Sequence, residues 1–231
     1  MPVDPLRDHS EPLWPTQRGL ERYNSLLGVD IATILAGGGA WIDIGPGVEA
    51  LPMHPFLGRP DVALKSIGSH PRTLPAGIEF TLGEVPANTA FLERYAGKSK
   101  LVTDVYSSIS YSEDPLLALV YCGLLLEAGG TCGAFTELKR IGGLATWDRA
   151  IQFFRRELHV VLSLEALSIV EDASQSVATA LRIRATRERV EAVSLAAAGA
   201  LLHARVGHPV PSGTIWESPD QSARIVQVDY V

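Results

Sequence analysis

The middle of the chain alternates short β-rich runs with stretches whose apolar residues recur at helical spacing. Runs of apolar and β-branched residues bounded by glycine and proline are typical of strands. Strands that alternate with helices in this way form a parallel sheet with helices on both faces. The pattern therefore predicts an α/β protein with a doubly wound, mostly parallel sheet.

The runs with strand character are sufficient for a seven-stranded sheet. They cover residues 40–44, 62–67, 78–82, 100–106, 131–135, 167–171 and 177–184. The last two are joined by Asp172-Ala173-Ser174, which favours an antiparallel pair. The other connections are long enough for helices, so we expect the remaining strands to run parallel.

One helix carries the clearest signal in the chain. Ser112 is its predicted cap, Pro115 lies near its start, and Gly129-Gly130 is predicted to stop it after Glu127. Other predicted helices cover residues 48–57, which two prolines shorten, and 87–95, 146–158 and 188–204.

The predicted elements suggest one domain with an extension. Residues 1–185 are expected to form the sheet domain, with a helical cap segment at 1–37. Residues 186–231 are expected to add a helix and a hairpin, formed by 214–217 and 223–229, that pack on the same domain.

Charge narrows the classes of partner. The 231 residues carry a formal net charge of -6 and a pI near 5.5, which disfavours nonspecific binding to nucleic acid and to anionic membranes. The basic cluster formed by Arg182, Arg184, Arg187 and Arg189 is interpreted as a solvated surface.

The cysteines and the apolar runs indicate a compartment. Cys122 and Cys132 have no metal-ligand spacing and are expected to be free, buried thiols. Neither a secretory signal nor a membrane span is recognised, so we expect a cytoplasmic protein.

The most informative segment is Trp41-Ile42-Asp43-Ile44-Gly45-Pro46-Gly47. It places an acid at the tip of a strand and two glycines in the turn that follows. Because glycine has no Cβ, such a turn lets a ligand approach the backbone closely. A tight turn without a ligand gives the same pattern, so the segment alone is a weak signal.

In combination with later segments, this turn resembles the glycine-rich motif of class I S-adenosylmethionine-dependent methyltransferases. Gly83-Glu84-Val85 is similar to the segment of that family beside the adenine, and 101–106 to its fourth strand. Residues 114–131 are similar to the family's helix that runs into the fifth strand. The resemblance covers residues 38–136 and implies a Rossmann-like methyltransferase fold.

The resemblance also implies a cofactor, S-adenosyl-L-methionine, and the residues that hold it. Asp43 would hold the amino-acid end of the cofactor, and the glycines would admit its backbone. The N-terminal segment with Trp14, Arg18, Tyr23 and Asn24 would lie over the cofactor or substrate. The full set of implied cofactor contacts is Asp43, Ile44, Gly45, Pro46, Gly47, Lys65, Ser66, Glu84, Val85, Asp104 and Tyr106.

Three positions depart from the family pattern. Glu49 stands where a third glycine often follows, and Lys100 where an acid commonly begins the fourth strand. At the ribose position the chain offers Lys65 and Ser66 instead of an acid. An ammonium group only donates hydrogen bonds, so Lys65 cannot accept from ribose hydroxyls, whereas Ser66 can.

These departures keep two alternatives open. Residues 45–50 also fit the G-x-G-x-x-A form of the dinucleotide fingerprint, and Lys65 would suit the 2′-phosphate of NADP, as in a reductase. No Tyr-x-x-x-Lys pair supports that chemistry. The other alternative is a methyltransferase-like binding or scaffold protein without turnover.

The expected reaction is displacement of a methyl group from a sulfonium, in which positioning supplies much of the catalysis. Asp104 and Tyr111 are the nearest candidates for a general base. The histidine spacing predicts no metal site. A small-molecule acceptor and a possible homodimer complete the sequence-based prediction.

Overall fold

A computed structural model describes residues 19–47, 49–137, 144–170, 177–217 and 224–231. Seven α-helices lie in this part of the chain: α1 (Leu20–Leu27), α2 (Ile31–Ile34), α3 (Thr89–Tyr95), α4 (Ser108–Tyr111), α5 (Pro115–Leu125), α6 (Leu144–Glu157) and α7 (Leu195–Arg205). Nine strands accompany them: β1 (Gly39–Ile44), β2 (Val62–Gly68), β3 (Ile78–Leu82), β4 (Ser99–Val105), β5 (Leu126–Glu137), β6 (Val160–Val170), β7 (Val177–Arg187), β8 (Pro209–Glu217) and β9 (Arg224–Tyr230).

The first seven strands form one sheet in the order β3-β2-β1-β4-β5-β7-β6. β1 to β5 pair in parallel, whereas β7 lies antiparallel between β5 and β6. The prediction of a doubly wound, mostly parallel seven-stranded sheet is confirmed. The predicted antiparallel pair is also confirmed, but β6 begins at Val160, well before the predicted start at residue 167.

Two hydrophobic layers cover the sheet, one on each face. On one face, α3, α5, α6 and α7 pack on alternate strand residues such as Ile42 and Val102. On the other face, α1, α2 and a 3₁₀ helix at Leu51–Phe56 pack on residues such as Trp41 and Leu101. We call these the α5 face and the α1 face.

The join between α5 and β5 differs from the prediction. α5 ends at Leu125, its cap is Asp114 rather than Ser112, and the chain enters β5 directly at Leu126. Gly129 and Gly130 therefore lie in a bulge of the strand instead of ending the helix. A Cβ on Gly130 would stand 2.6 Å from the carbonyl oxygen of Ser99, so the bulge requires glycine there.

Two other predicted helices are shorter than expected. The prolines reduce the predicted helix at 48–57 to the 3₁₀ turn at Leu51–Phe56. α7 begins only at Leu195, after its cap Ser194, rather than at residue 188. The carbonyl oxygens of Arg189 and Glu191 accept hydrogen bonds from the Arg187 guanidinium, which holds residues 188–191 out of a helix.

The arginine cluster is only partly the solvated surface that we predicted. Arg184 and Arg189 are exposed, whereas Arg182 and Arg187 bind within the protein. Arg187 is buried, and its Nη1 atom donates to the carbonyl oxygens of Leu124 at 2.9 Å and Leu126 at 3.0 Å. Arg182 donates to the carbonyl oxygens of Ser25 and Leu26 at the end of α1. Both guanidinium groups therefore donate hydrogen bonds to carbonyl oxygens at helix ends. Residue type and spacing do not reveal this role.

The C-terminal hairpin prediction is confirmed, since β8 and β9 pair antiparallel. Tyr230 and His203 both bind Asp114, the cap of α5. The Tyr230 hydroxyl donates to Asp114 Oδ1 at 2.7 Å, and His203 Nε2 donates to Oδ2 at 2.6 Å. This Asp114 clasp holds α7 and β9 on the start of α5.

Two further findings concern the described ranges. Cys122 and Cys132 are free and buried, as predicted. None of the helices in those ranges is long and apolar enough to cross a membrane.

Candidate functional site

The glycine-rich turn lies at the carboxyl edge of the sheet, beside the turns that follow β2 and β3. Gly45 N donates to the carbonyl oxygen of Ile67 at 2.7 Å, and Gly83 N donates to that of Gly68 at 2.9 Å. β1 has β2 on one side and β4 on the other, so the strand order reverses at this turn. Open α/β sheets bind ligands at such a switch point.

A row of buried polar side chains crosses the α1 face just below this edge. Asp43 is in register with Ser66 on β2 and with Thr103 on β4, and all three are fully buried. Register partners on neighbouring strands project to the same face of a sheet, so the three side chains lie side by side.

Asp43 is held by hydroxyl groups from two elements. Thr103 Oγ1 donates to Asp43 Oδ1 at 2.6 Å, and the Tyr23 hydroxyl of α1 donates to Oδ2 at 3.2 Å. The indole of Trp41 in turn donates to Thr103 Oγ1 at 2.8 Å. These bonds orient the carboxylate and tie α1 to the edge of the sheet.

Ser66 is the exception in the polar row. Its Oγ atom is buried, yet it has no hydrogen-bond partner in the described part of the chain. A buried hydroxyl without a partner is unfavourable by about 1–3 kcal/mol and calls for an explanation. A ligand group at the adjacent switch point is one explanation.

Asp104, although its backbone lies next to Asp43 in the sheet, faces the opposite side. It is in register with Ile44, so its side chain projects to the α5 face, under α4. Asp104 Oδ2 accepts from Ser108 Oγ at 2.5 Å, and Oδ1 accepts from Ser107 N at 3.1 Å. The structure does not bring the two carboxylates together.

Burial dominates the acidity of Asp104. The group is fully buried, and desolvation raises its pKa to about 6, against the opposing effect of its hydrogen bonds to Ser108, Ile109 and Ser107. Its carboxylate is used to hold the turn from β4 into α4. A role as general base for a bound acceptor stays a prediction, and this geometry does not favour it.

The turn after β4 also fills the space that Gly45 leaves. Gly45 has φ +66°, and a Cβ on it would stand 1.8 Å from Ser107 Oγ. Tyr106 has φ +50°, which is rare for a bulky side chain and often marks a functional or strained turn. Its ring packs edge-on against Phe135 at a centroid distance of 5.2 Å.

Lys65 lies away from the switch point. It is in the middle of β2, on the α5 face, and its ammonium group donates to Glu79 Oε2 at 2.7 Å. The Tyr95 hydroxyl donates to the same carboxylate, and the hydrogen bonds from Lys65 and Tyr95 lower the pKa of Glu79. The ammonium is thus used within the protein, which removes the reason for expecting an NADP phosphate there.

The strand order and the position of the glycine turn together decide the fold. This is the Rossmann-like methyltransferase fold. It consists of parallel β1 to β5 with the antiparallel β7 between β5 and β6. The resemblance implied this fold. A fold of this kind does not by itself assign an activity.

Comparisons with known proteins add little beyond this fold. No protein-family model and no curated protein matches the chain. A candidate sarcosine dimethylglycine methyltransferase from Galdieria sulphuraria is similar at 14% identity and a TM-score of 0.48, over 74% of this chain and 87% of that one.

Two further structures are similar over part of their length. For T. thermophilus 16S rRNA methyltransferase RsmC, in complex with AdoMet and guanosine, the identity is 19% and the TM-score 0.38, over 68% of this chain and 37% of that one. For a candidate transferase from Pyrococcus horikoshii, the identity is 10% and the TM-score 0.43, over 65% of this chain and 58% of that one. The chain spans less than two thirds of these two structures. All these similarities are low, so the fold rests on the strand order and the neighbours assign no activity to this chain.

The remaining predicted site residues lie at the end of β1, in the turns after β1 and β3, in α4 and in the N-terminal segment. Ile44, Pro46 and Gly47 belong to the β1 end and its turn, and Glu84 and Val85 follow β3, with Glu84 exposed and Val85 buried. Tyr111 is the last residue of α4 and is half-buried. In the N-terminal segment, Asn24 Oδ1 accepts from Ile31 N at 3.1 Å, whereas Trp14 and Arg18 lie outside the described residues.

Thr103 and Ser107 are site residues that sequence reasoning missed. Thr103 could have been found from strand register, since it lies opposite Asp43 once β1 and β4 are paired. Ser107 gave no signal, because its contact with Gly45 depends on the path of the turn after β4.

Proposed function

We propose that this chain binds S-adenosyl-L-methionine at the carboxyl edge of β1, β2 and β4 and transfers its methyl group to a small-molecule acceptor. The observation that carries the proposal is the glycine turn at the switch point, next to a buried Ser66 hydroxyl that has no partner among the described residues. The net charge of -6 favours a small acceptor over a nucleic acid.

The residues at this edge suit parts of such a cofactor. The backbone at Gly45 and Gly47 can approach a ligand closely, and Ser66 Oγ can accept from or donate to a ribose hydroxyl. Val85 offers a buried apolar contact for an adenine beside the turn after β3. Asp43 contributes through its network with Tyr23 and Thr103.

When bound, S-adenosylmethionine supplies a methyl group that is already activated by its sulfonium. The chain's part is therefore to orient the reactants and to exclude water. α1 covers the polar row, and the turn at Tyr106 and Ser107 forms the wall towards β4. Tyr111 is the more accessible of the two proposed bases, because Asp104 is fully buried.

A second candidate function is binding without turnover, and a specific observation favours it. The oxygens of Asp43 already accept from Tyr23 and Thr103, and Ser107 occupies the space in front of Gly45. A ligand would have to displace these groups before it could reach the carboxylate. A binding or scaffold protein has no need of that access.

Calorimetric titration with S-adenosylmethionine tests the proposal, with Ser66→Ala as the informative variant. Loss of one hydrogen bond of about 1 kcal/mol should weaken binding roughly fivefold. Ser99→Ala is the matched control, because Ser99 Oγ is also buried and has no partner within the described ranges, but it lies at the start of β4. It should leave the affinity unchanged.

The outcomes separate the candidate functions. Saturable binding that Ser66→Ala weakens, with formation of S-adenosylhomocysteine on addition of an acceptor, supports methyl transfer. Binding without product over a broad panel of acceptors supports the second function. If the wild-type chain binds no S-adenosylmethionine at millimolar concentration, the proposed cofactor is wrong.

A further inference from the structure

A groove between α6 and α7 lies on the surface, apart from the glycine turn. It has a cavity volume of about 80 Å³. Small-molecule pockets commonly measure about 300–1,000 Å³, so this groove has room for one small group rather than a whole cofactor. It is lined by Arg149, Gln152, Phe153, Arg156, Glu157 and Arg205.

The lining is positively charged on an acidic protein. Three guanidinium groups meet one carboxylate, that of Glu157, which binds Arg205 at 3.1 Å. Arg149 and Arg156 are exposed and have no ion pair or hydrogen bond with any side chain in the described ranges. The groove therefore carries two uncompensated positive charges.

Helix geometry aims these side chains into the same space. Arg149, Gln152, Phe153 and Arg156 follow the i, i+3, i+4, i+7 spacing of one helix face. Phe153 is buried and forms the floor, while the longer side chains rise around it. Asp148 is exposed and lies four residues before Gln152, at the edge of this face, but it is not part of the groove lining.

Favourable interaction with helix ends does not explain the whole cluster. Arg156 and Arg205 lie in the last turns of α6 and α7, where a cation is stabilised by the helix dipole. Arg149 lies about two turns before the end of α6, beyond the reach of that effect. A bound anion would interact favourably with all three guanidinium groups.

We propose that this groove binds a phosphate group. Guanidinium forks match the oxygens of phosphate, and charge-assisted hydrogen bonds of this kind are the strong ones. Guanidinium groups from both α6 and α7 line the groove, which suits the several oxygens of a phosphate better than the two oxygens of a carboxylate. The site is independent of the proposed methyl transfer.

The test is titration of the full chain with inorganic phosphate, followed by amide NMR at constant ionic strength, with chloride as the reference anion. Saturable shifts confined to α6 and α7 are expected. The double variant R149Q/R156Q should reduce the affinity at least tenfold. Arg155→Gln is the matched control, because Arg155 is an exposed arginine of the same helix outside the groove, and it should change affinity less than twofold.

A gain-of-function variant sharpens the test. Glu157→Gln removes the carboxylate that lines the groove beside Arg205 and frees this guanidinium, so phosphate should bind several-fold more tightly. Titration with glycerol 3-phosphate, a phosphomonoester, identifies the source of the phosphate group. Tighter binding of inorganic phosphate indicates a free phosphate, and tighter binding of the ester indicates a phosphate carried by a larger molecule. Shifts that match those of chloride, or equal losses in the double variant and the Arg155 control, overturn the proposal. Binding to an RNA homopolymer or to anionic vesicles without binding to phosphate also overturns it.

Discussion

Asp43 and Asp104 show how the face of the sheet on which a strand residue lies decides the chemistry of its side chain. Both are fully buried acids at the same edge of the sheet. Asp43 lies under α1 and accepts from hydroxyl groups of other elements, whereas Asp104 lies under α4 and holds its own turn. The two carboxylates therefore cannot act on one bound group without a large rearrangement.

The raised pKa of Asp104 predicts a loss of stability as the pH rises. The pKa is about 6 in the folded protein against 3.8 ordinarily, because burial disfavours the charged form. An acid whose pKa is raised on folding stabilises the folded state fully when the pH is below its pKa in the unfolded chain. This stabilisation is lost as the pH rises through its pKa in the folded protein. Between pH of about 4 and about 7, the free energy of unfolding should fall by up to about 3 kcal/mol.

Denaturant unfolding of the wild-type chain and Asp104→Asn over this pH range measures the effect. The variant cannot ionise, so the difference in unfolding free energy between the two proteins should change with pH by this amount. Asp30→Asn is a control of opposite sign, since hydrogen bonds from Thr33 lower the pKa of the exposed Asp30. Parallel pH profiles for the wild type and Asp104→Asn would contradict the prediction.

At the scale of elements, Arg187 on β7 sets the ends of two helices. Its guanidinium binds carbonyl groups at the end of α5 and in the segment before α7. Helix propensity in the sequence favours a start at residue 188, but these tertiary hydrogen bonds hold the segment extended. Local pattern therefore predicted that both helices exist but placed their ends wrongly.

Arg187→Met should destabilise the protein by about 3 kcal/mol or more, because several buried carbonyl groups lose their donor. Thermal or denaturant unfolding checks the prediction. Arg184→Met is the control, since Arg184 is exposed and its hydrogen bond to the carbonyl oxygen of Gly28 is long, at 3.4 Å. Its expected cost is within about 0.5 kcal/mol, and a similar cost for both variants would refute the role given to Arg187.

At the scale of the whole molecule, the Asp114 clasp makes the C-terminal extension part of the same body as the sheet. Ala198 and Leu202 of α7 belong to the core on the α5 face. Tyr230 closes the connection through Asp114, and its hydroxyl also accepts from Leu116 N at 3.1 Å. We propose on this basis that residues 186–231 unfold together with the rest of the chain.

Asp114→Ala should loosen the C-terminal hairpin as well as α5. The change removes the acceptor for His203, Tyr230 and Leu117 N, so the expected cost is about 2–4 kcal/mol. Hydrogen exchange should increase in β9. Asn88→Ala removes a similar cap from α3, at Phe91 N, and should cost about 1 kcal/mol without affecting β9. Unchanged exchange in β9 of Asp114→Ala would show that the clasp does not hold the hairpin.

The sequence predicted the architecture well because hydrophobic periodicity and turn residues are local signals. The first strands, the parallel order and the C-terminal hairpin are recoverable from such signals. The Asp43 network, the place of Lys65 and the burial of Asp104 depend on register and on which face a residue occupies. Register and face are set when strands pair, so the sequence of a single strand does not determine them.

The close approach of Ser107 to Gly45 joins two positions that are far apart in the sequence. A side chain at 45 and the present one at 107 exclude each other, since their atoms would overlap. A residue larger than glycine at position 45 therefore requires a change at position 107, and related sequences should vary at the two positions as a pair. The left-handed backbone at 45 adds a second restriction, so freedom at 107 depends on glycine being kept at 45.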